Sequence, residues 1–320
     1  MARSDLLLAL VKASSQGDRD RARVAVEAII AEERAKRHHV LAERLESALR
    51  ANGHRGASQL LLGGKRGCRY VAELTPRRRL ADLVLSEINL RACRELIEEQ
   101  HRASVLRAHS IEPRHRVLLV GPPGNGKTSL AEAIAEALAV PFLVVRYESL
   151  IGSFLGETAA RLKRVFDTAR TTPCVLFFDE FDAVGKERGD THETGEIKRV
   201  VSTLLMQTDE LPSYAVVVAA SNHAELLDRA VWRRFQLRLS LGPPSRQALA
   251  RYVERFADSL DEPFGHTPES VAHELGAISF AEAEEFCRDV RRRQVLAMGE
   301  VPVREIVAER LAAWRRRANA

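Results

Sequence analysis

Residues 116–137 read RVLLVGPPGNGKTSLAEAIAEA, and this stretch indicates the class of the fold. It begins with a short apolar run, typical of a buried strand, and ends with apolar residues at helical spacing. Between the two, GPPGNGKT at 121–128 satisfies the pattern G-x-x-x-x-G-K-[ST]. Glycines there let backbone N–H groups face a phosphate, and the helix N-terminus adds positive charge. The stretch therefore predicts a nucleotide-binding loop.

The side chains of this loop predict both a nucleotide and a metal ion as cofactors, namely ATP and Mg²⁺. Lys127 is expected to hold the β- and γ-phosphates, and the Thr128 hydroxyl is expected to bind Mg²⁺. The predicted nucleotide-binding residues are Gly121, Pro122, Pro123, Gly124, Asn125, Gly126, Lys127, Thr128 and Ser129.

Two adjacent carboxylates end a second apolar run, CVLFFDE at 174–180. In isolation, such a pair is usual at the start of a helix, where it caps free N–H groups. Together with the phosphate loop it predicts hydrolysis of ATP to ADP and phosphate. Asp179 is expected to bind Mg²⁺, directly or through water, and Glu180 to orient and deprotonate the attacking water.

Two further polar features follow in the chain. Asn222 ends the apolar run AVVVAASN, where its amide can reach a γ-phosphate or a water, although asparagine is also common in turns. Arg233 and Arg234 precede another apolar run, FQLRLSL. They can stabilise charge on a neighbouring subunit's nucleotide, or they can form ordinary surface salt bridges. The residues by themselves leave both alternatives open.

The order of apolar runs and amphipathic stretches predicts an α/β fold, a P-loop NTPase core with a parallel five-stranded sheet. A small α-helical lid domain is expected to follow it, and an N-terminal helical hairpin with a glycine-rich linker to precede it. The predicted strands are RVLLV (116–120), FLVVRY (142–147), CVLFFD (174–179), AVVVAA (215–220) and FQLRLSL (235–241). The predicted domains are the hairpin and linker (1–70), the core (71–243), and the lid with a C-terminal helix (244–320).

The composition of the chain bears on three questions: nucleic-acid binding, membrane contact and disulfide bonding. A net charge of +5 and a pI near 9.2 permit contact with nucleic acid, but both signs are interspersed, as on a solvated helix face. The apolar runs are shorter than the roughly 20 residues that cross a bilayer, so no membrane contact is expected. Four scattered cysteines indicate reduced thiols rather than a disulfide framework. These features predict a cytoplasmic protein.

Taken in order, GPPGNGKT, VLFFDEFDAV, AASN and LDRAVWRRF resemble the motifs of the AAA+ ATPases, and of the AAA group proper within them. The resemblance covers about residues 75–298. It implies a hexameric ring with ATP between subunits, a sensor role for Asn222, and arginine fingers at Arg233 and Arg234, as in the meiotic and microtubule-severing branch. Residues 80–87, LADLVLSE, match the segment that approaches adenine in that family.

The segment YESLIGSFLGETAARLKRVFDTAR at 147–170 resembles the family's pore loop, with Phe154 and Leu155 as the residues that grip a polypeptide. Without the resemblance, this pair is more typical of local core. GAISFAEAEEFC at 276–287 departs from the family's usual run in the lid.

The sequence therefore predicts a motor subunit that unfolds or remodels a protein substrate through a central pore. A separate peptidase or an adaptor is a possible partner, since no protease domain follows the lid. The alternatives are a nucleic-acid-associated motor or loader, suggested by the basic pI and the run WRRR, and an ATP-gated assembly scaffold.

Overall fold

The computed structural model describes residues 70–146, 157–181, 203–227 and 229–318. The predictions for the N-terminal helical hairpin and for Phe154 and Leu155 lie outside these residues. The domain boundaries at 70 and 243 stay predictions.

The described residues form a six-stranded sheet in the order β1-β3-β4-β5-β2-β6. Strands β2 to β6 pair in parallel, and β1 pairs antiparallel with β3 at the edge. The strands are β1 (Val71–Leu74), β2 (Arg116–Val120), β3 (Phe142–Val145), β4 (Cys174–Phe178), β5 (Ala215–Ser221) and β6 (Leu237–Ser240). The α/β class and the five predicted parallel strands are confirmed.

The sixth strand, β1, was missed, so the predicted strand count was one too low. Its four residues, VAEL, lie half-exposed at the sheet edge, where only one side pairs. A strand this short carries no clear alternation of apolar and polar residues, and its pairing partner lies about 70 residues away in sequence. By contrast, every residue of β4 and β5 is buried, as expected for inner strands covered on both faces.

Helices connect the strands and then continue alone to the end of the described chain. They are α1 (Glu87–His101), α2 (Ala103–Ala108), α3 (Lys127–Ala137), α4 (Glu157–Ala169), α5 (203–209), α6 (Arg229–Arg234), α7 (Arg246–Asp258), α8 (Pro268–Leu275), α9 (Phe280–Ala297) and α10 (Val303–Ala318). Within the described ranges, none of these helices is both long enough and apolar enough to cross a membrane.

Alternate residues of β2 point to opposite faces of the sheet and enter two separate hydrophobic clusters. Leu118 and Val120 belong to one cluster, which α4, α5 and α6 cover. Val117 and Leu119 belong to the other, which α1 and α3 cover. This alternation is the period of two that a strand imposes, and it produces a three-layer α/β/α core.

Helices α7 to α10 form a C-terminal helical bundle, residues 246–318, with a hydrophobic cluster of its own. Three of its helices begin at a residue whose hydroxyl accepts a hydrogen bond from a backbone N–H of the first turn. These residues are Ser245, Thr267 and Ser279. Such caps satisfy N–H groups that the helix itself leaves free. The bundle therefore has a hydrophobic core of its own, and the first turns of three of its helices are capped by the residue that precedes each helix.

The packing of aromatic residues in the sheet core predicts how the free energy of unfolding changes when one of them is truncated. Phe178 is fully buried, and its ring lies 5.8 Å from that of Phe166 and 6.4 Å from that of Phe181. Phe178→Ala should lower the free energy of unfolding by about 3–5 kcal/mol, because it removes buried apolar contacts and leaves a cavity. Ile88→Ala is the matched control, since Ile88 is 81% exposed and its truncation should change stability by less than about 0.5 kcal/mol. Denaturant titration measures both, and equal effects would contradict the assigned packing.

Candidate nucleotide site

The residues that the sequence assigned to nucleotide chemistry meet at one edge of the sheet. The loop 121–126 follows β2, Asp179 follows β4, and Asn222 follows β5. These strands run in parallel, and Val120 pairs with Ser221 across β2 and β5. Parallel pairing brings their carboxyl ends to the same edge, so the three polar segments face one cleft.

The path of the loop depends on glycine at both of its ends. Gly121 has a φ of 146°, and a Cβ atom there would lie 2.1 Å from the carbonyl oxygen of Leu241. Its N–H donates to the carbonyl of Ser221 at 3.2 Å, which continues the sheet by one residue. Gly126 has a φ of 83° and precedes α3 as its N-cap. A side chain at Gly121 would collide with the backbone of Leu241, which follows β6, and a side chain at Gly126 would strain the left-handed turn into the helix.

Lys127 lies on the wall of the cleft and is only 7% exposed. Its Nζ atom donates to the carbonyl oxygens of Gly121 at 2.6 Å and Pro122 at 3.0 Å, and to Oδ1 of Asn222 at 2.6 Å. Burial of an ammonium group is unfavourable unless oxygen atoms replace its water. Because phosphate oxygens are stronger acceptors than carbonyls, this ammonium is well placed to exchange these partners for a bound polyphosphate.

Asp179 lies beside Thr128, and these two residues would hold a metal ion. Its Oδ2 accepts a hydrogen bond from the Thr128 hydroxyl at 3.1 Å, and its Oδ1 accepts one from the backbone N–H of Glu180 at 2.9 Å. A hydroxyl and a carboxylate side by side suit Mg²⁺, which prefers oxygen ligands and keeps several waters. Within the described ranges, no cluster of three or more His, Cys, Asp or Glu residues is arranged for a metal.

Glu180 has a strained backbone beside this pair. Its φ is 47°, in the left-handed region that residues other than glycine seldom adopt. The next N–H, that of Phe181, donates to the carbonyl of Ala220 at 2.8 Å and helps to hold the turn. The Glu180 side chain is exposed at the cleft, where water can reach its carboxylate. Strain of this kind often occurs where a side chain must be presented for function.

The cleft has a volume of about 350 Å³ and lies between the sheet edge and the C-terminal helical bundle. It is lined by Arg78, Asp82, Leu83, Val84, Leu85, Pro123, Gly124, Asn125, Gly126, Lys127, Thr128, Ser129, Asp179, Glu180, Asn222, Tyr252, Phe280, Ala281 and Glu284. The predicted loop residues from Pro123 to Ser129 are all on this wall. Gly121 and Pro122 contribute instead through the carbonyls that hold Lys127.

Part of the cleft wall comes from residues that the sequence did not assign to the site. The Tyr252 and Phe280 rings lie 5.7 Å apart on the bundle side, and the N–H of Ala281 donates to the carbonyl of Gly124 at 2.9 Å. Burial raises the pKa of the Tyr252 hydroxyl to about 12, so this group stays a hydrogen-bond donor. The departure from the family pattern at 276–287 was the available signal for Phe280 and Ala281, which directly follow the Ser279 cap.

Asn125 provides an independent test of whether a ligand fits. This residue is 5% exposed, and its Oδ1 atom is buried with no hydrogen-bond partner in the structure. A buried acceptor without a donor costs free energy, and a ligand carrying N–H or O–H groups would satisfy it. The loop, the buried ammonium and this amide therefore fit a nucleotide better than an apolar ligand.

Arg233 and Arg234 lie at the other end of the sheet. Arg234 Nε donates to Asp209 Oδ2 at 2.7 Å, and the Asp209 Oδ1 atom also accepts from Arg116, the first residue of β2. The loop that holds Lys127 follows the last residue of that strand, and five residues of strand span roughly 13 Å. Neither arginine lines the cleft of its own chain.

The backbone of the loop leads to a prediction that does not depend on any ligand. Gly121→Ala should lower the free energy of unfolding by about 2–4 kcal/mol, because its Cβ would collide with backbone and its φ would be strained. Gly242→Ala is the control, since a Cβ there meets nothing within 4 Å. Denaturant titration of both variants measures the difference, and equal stabilities would show that the close approach at Leu241 is wrong.

Comparisons with known proteins agree with this geometry. A family model described as "ATPase family associated with various cellular activities (AAA)" matches residues 117–243. The "Uncharacterized AAA family ATPase y4kL" of Sinorhizobium fredii is 35% identical over 302 residues, which cover 92% of this chain and 90% of that protein.

Two other relatives match over shorter stretches. A cell division cycle protein 48 homolog of Archaeoglobus fulgidus is 34% identical over 211 residues, 63% of this chain and 27% of that protein. An ATP-dependent zinc metalloprotease FtsH of Heterosigma akashiwo is 43% identical over 137 residues, 41% of this chain and 21% of that protein. The chain thus spans about a quarter of these two proteins and nearly all of the first relative. Its phosphate loop, its paired carboxylates and its likeness to that relative establish that the chain belongs to the AAA family of ATPases and hydrolyses ATP.

Proposed function

We propose that this ATPase assembles with copies of itself into a ring, expected to be hexameric, and uses ATP hydrolysis to remodel a protein substrate. The observation that carries the proposal is the separation between the cleft and the arginines of α6. Arg78 is the one arginine on the described cleft wall, and it is paired with Glu284 at 3.2 Å. A second subunit is therefore the natural source of a free guanidinium at the nucleotide.

Within one subunit, the loop is proposed to bind the phosphates of ATP. Lys127 would leave the carbonyls of Gly121 and Pro122 and contact the β- and γ-phosphates. The N-terminus of α3 adds backbone N–H groups and a partial positive charge at the same point. The leucine and valine side chains of 83–85 and the Phe280 ring provide apolar surface for the base on the same cleft wall.

Mg²⁺ is the proposed second cofactor, with Thr128 and Asp179 as the residues that would hold it. When bound, the ion neutralises charge on the phosphate oxygens. The contribution of the protein is to keep a hydroxyl and a carboxylate side by side at the mouth of the loop.

Hydrolysis is proposed to use Glu180 as the general base. Its carboxylate accepts a proton from water while the water oxygen forms a bond to the γ-phosphorus. The bond from that phosphorus to the bridging oxygen then breaks, which releases ADP and phosphate. Asn222 already contacts Lys127 through its amide oxygen, so it lies where it can respond to the presence of the γ-phosphate.

Across subunits, the exposed end of α6 is proposed to contact the nucleotide of the next copy. An arginine that stabilises transition-state charge in this way contributes roughly 10³ to 10⁵ in rate in the systems where it has been measured. The fold keeps this end of α6 away from the cleft of its own chain, which favours action in trans.

The proposal of a protein substrate rests on Phe154 and Leu155 and on the relatives. The resemblance of 147–170 to a pore loop gives these two residues the task of gripping a polypeptide, and apolar side chains can hold varied sequences. One relative is named an ATP-dependent metalloprotease, so in that protein ATP use accompanies action on other proteins. A separate peptidase or an adaptor is a proposed partner of this chain.

The nucleic-acid alternative is less favoured because the basic C-terminal run has structural contacts. Trp314 packs against Phe286 with ring centroids 6.2 Å apart, and Arg315 pairs with Glu274 at 2.6 Å. These contacts account for two members of the run WRRR as parts of the helical bundle. A surface that binds phosphate backbones would instead present these charges without carboxylate partners.

Mixing of two defective variants tests action across subunits. Glu180→Gln lacks the proposed base but keeps the arginines, and Arg233→Ala/Arg234→Ala keeps the base but lacks the arginines. Each should hydrolyse ATP at least about 100-fold more slowly than wild type. An equimolar mixture should regain up to about a quarter of the wild-type rate, because random assembly pairs an intact base with intact arginines at that share of interfaces.

The control for the mixture is the wild-type rate per subunit, which should rise with protein concentration as size measurements show assembly. A mixture no more active than its components, together with a rate independent of concentration, would contradict the ring.

Phe154→Ala tests whether the proposed motor acts on proteins. The variant should keep ATPase activity within about twofold and lose at least about tenfold in unfolding of a fluorescent protein that carries an unstructured tail. Phe154→Tyr is the control and should keep both activities, since it retains the aromatic ring. Equal loss of both activities in the alanine variant, or of neither, would count against a gripping role.

A further inference from the structure

Arg233 and Arg234 are adjacent and chemically identical, but the structure gives them different surroundings. Val231 and Phe235 are buried, Arg233 is exposed, and Arg234 is half-buried. Successive residues of a helix are rotated by about 100°, so Arg233, two residues after Val231, points almost directly away from the face that Val231 buries. Arg234 lies at the flank of that face, where neighbouring elements can contact it.

Asp209 is the contact that holds Arg234. The carboxylate accepts from Arg234 Nε at 2.7 Å through one oxygen and from Arg116 at 2.5 Å through the other. The Arg116 side chain is 20% exposed, whereas those of Asp209 and Arg234 are 38% and 37% exposed. Water weakens an exposed ion pair, but here one carboxylate accepts hydrogen bonds from two cations, which hold it from both sides. If Arg234 swung out toward another subunit, it would lose this bond.

A second set of contacts fixes the same end of α6 through Gln236. Its side-chain oxygen accepts from the backbone N–H groups of His115 at 3.0 Å and Arg116 at 3.2 Å. Its own N–H donates to the Arg116 carbonyl at 3.1 Å. Gln236 therefore contacts the first residue of β2 directly, and Arg234 is linked to it through Asp209.

Phe235 completes the attachment from inside the core. Its ring meets that of Phe181 edge-on, with centroids 5.9 Å apart. By contrast, Arg233 has no ion pair or hydrogen bond from its side chain to any part of the chain that the structure describes. Three contacts thus anchor the end of α6, while the Arg233 side chain projects from it with no ion pair or hydrogen bond among the described residues.

We propose that Arg233 alone contacts the nucleotide of the neighbouring subunit, and that Arg234 and Asp209 are positioning residues that hold α6 in the orientation this requires. The inference rests on the proposed action across subunits and divides between two residues a task that the sequence assigned to both. It also gives Asp209 a function that the sequence did not indicate. Neutralising Asp209 would leave Arg116 and Arg234 as neighbouring like charges, whose repulsion would displace the end of α6.

The test compares conservative and non-conservative changes at each position by measuring kcat and KM for ATP in the assembled full-length protein. Arg233→Gln and Arg233→Lys should both lower kcat by about 10³-fold, because a direct contact needs the shape of the guanidinium. Arg234→Gln and Asp209→Asn should each lower kcat by about 10- to 100-fold through misplacement, with KM within about twofold of wild type. Arg234→Lys should restore most of what Arg234→Gln loses, since an ammonium can still pair with Asp209.

A double variant distinguishes positioning from direct contact. Asp209→Asn/Arg234→Gln should be no slower than the slower single variant, because both changes break the same interaction. Arg102→Gln is the matched control. It removes a well-exposed ion pair with Glu98, 2.9 Å long and without contact to α6, and should leave kcat within about twofold of wild type. Thermal unfolding and assembly size are measured for each variant.

The proposal is overturned if Arg234→Lys is as slow as Arg234→Gln while Asp209→Asn matches or exceeds wild type, since Arg234 would then itself contact the nucleotide. If Asp209→Asn does not fold, the contrast between Arg234→Lys and Arg234→Gln decides alone. Failure of the ring itself is distinguishable, because Arg233→Gln would then keep the wild-type rate and the mixing experiment would show no recovery.

Discussion

The parallel pairing of β2 with β5 on one side and β6 on the other is the constraint on which both polar ends of the molecule depend. At the carboxyl end of β2, the pairing places the loop that carries Lys127 beside Asn222. At the amino end, it places Arg116 beside Gln236 and the end of α6. A shift of register by one residue would turn every side chain of β2 to the opposite face. The two clusters of the core and the two polar ends would then be lost together.

At the carboxyl end, the structure holds groups that are unfavourable to bury without partners. The ammonium of Lys127 is surrounded by oxygen atoms of the loop and of Asn222, and the carboxylate of Asp179 is satisfied by Thr128 and a backbone N–H. Each of these contacts can be replaced by a contact to a phosphate or a cation, so the site is already arranged before the ligand arrives. We propose that this arrangement is the physical basis of ATP hydrolysis in this member of the AAA family.

At the other end, the rigid core reaches the helix that carries Arg233. Rings of Phe178, Phe181 and Phe235 follow one another through the core, from β4 to the residue after α6. Phe181 comes directly after Glu180 in sequence, so the segment that bears the proposed base and the segment that bears the arginines share one packed series of rings. Protein interiors are close-packed, and such a series fixes both segments relative to the sheet. Asp209 adds charged contacts to Arg116 and Arg234, which a packed aromatic core cannot supply.

The sequence by itself was enough to predict the parallel core and the nucleotide loop, because each depends on a pattern of residues that are close together in the chain. Five apolar runs of strand length alternate with helical periodicity, and GPPGNGKT is contiguous. The edge strand β1 was not predicted, because its four half-exposed residues show no alternation of apolar and polar side chains. It forms a strand by pairing with β3, which is distant in sequence. The departure at 276–287 was visible in the sequence, but its consequence for the cleft wall was not.

Only the tertiary structure decided what lies opposite the loop and how the two arginines differ. Tyr252 and Phe280 reach the cleft because the helical bundle packs beside the sheet edge, more than 120 residues after the loop begins. Arg233 and Arg234 are the same residue type, and the sequence does not distinguish them. Their surroundings differ because of the orientation of a short helix and because Asp209, 25 residues before Arg234, pairs with Arg234. Local periodicity records which face of an element is apolar, but a contact between distant segments exists only once their packing has placed them together.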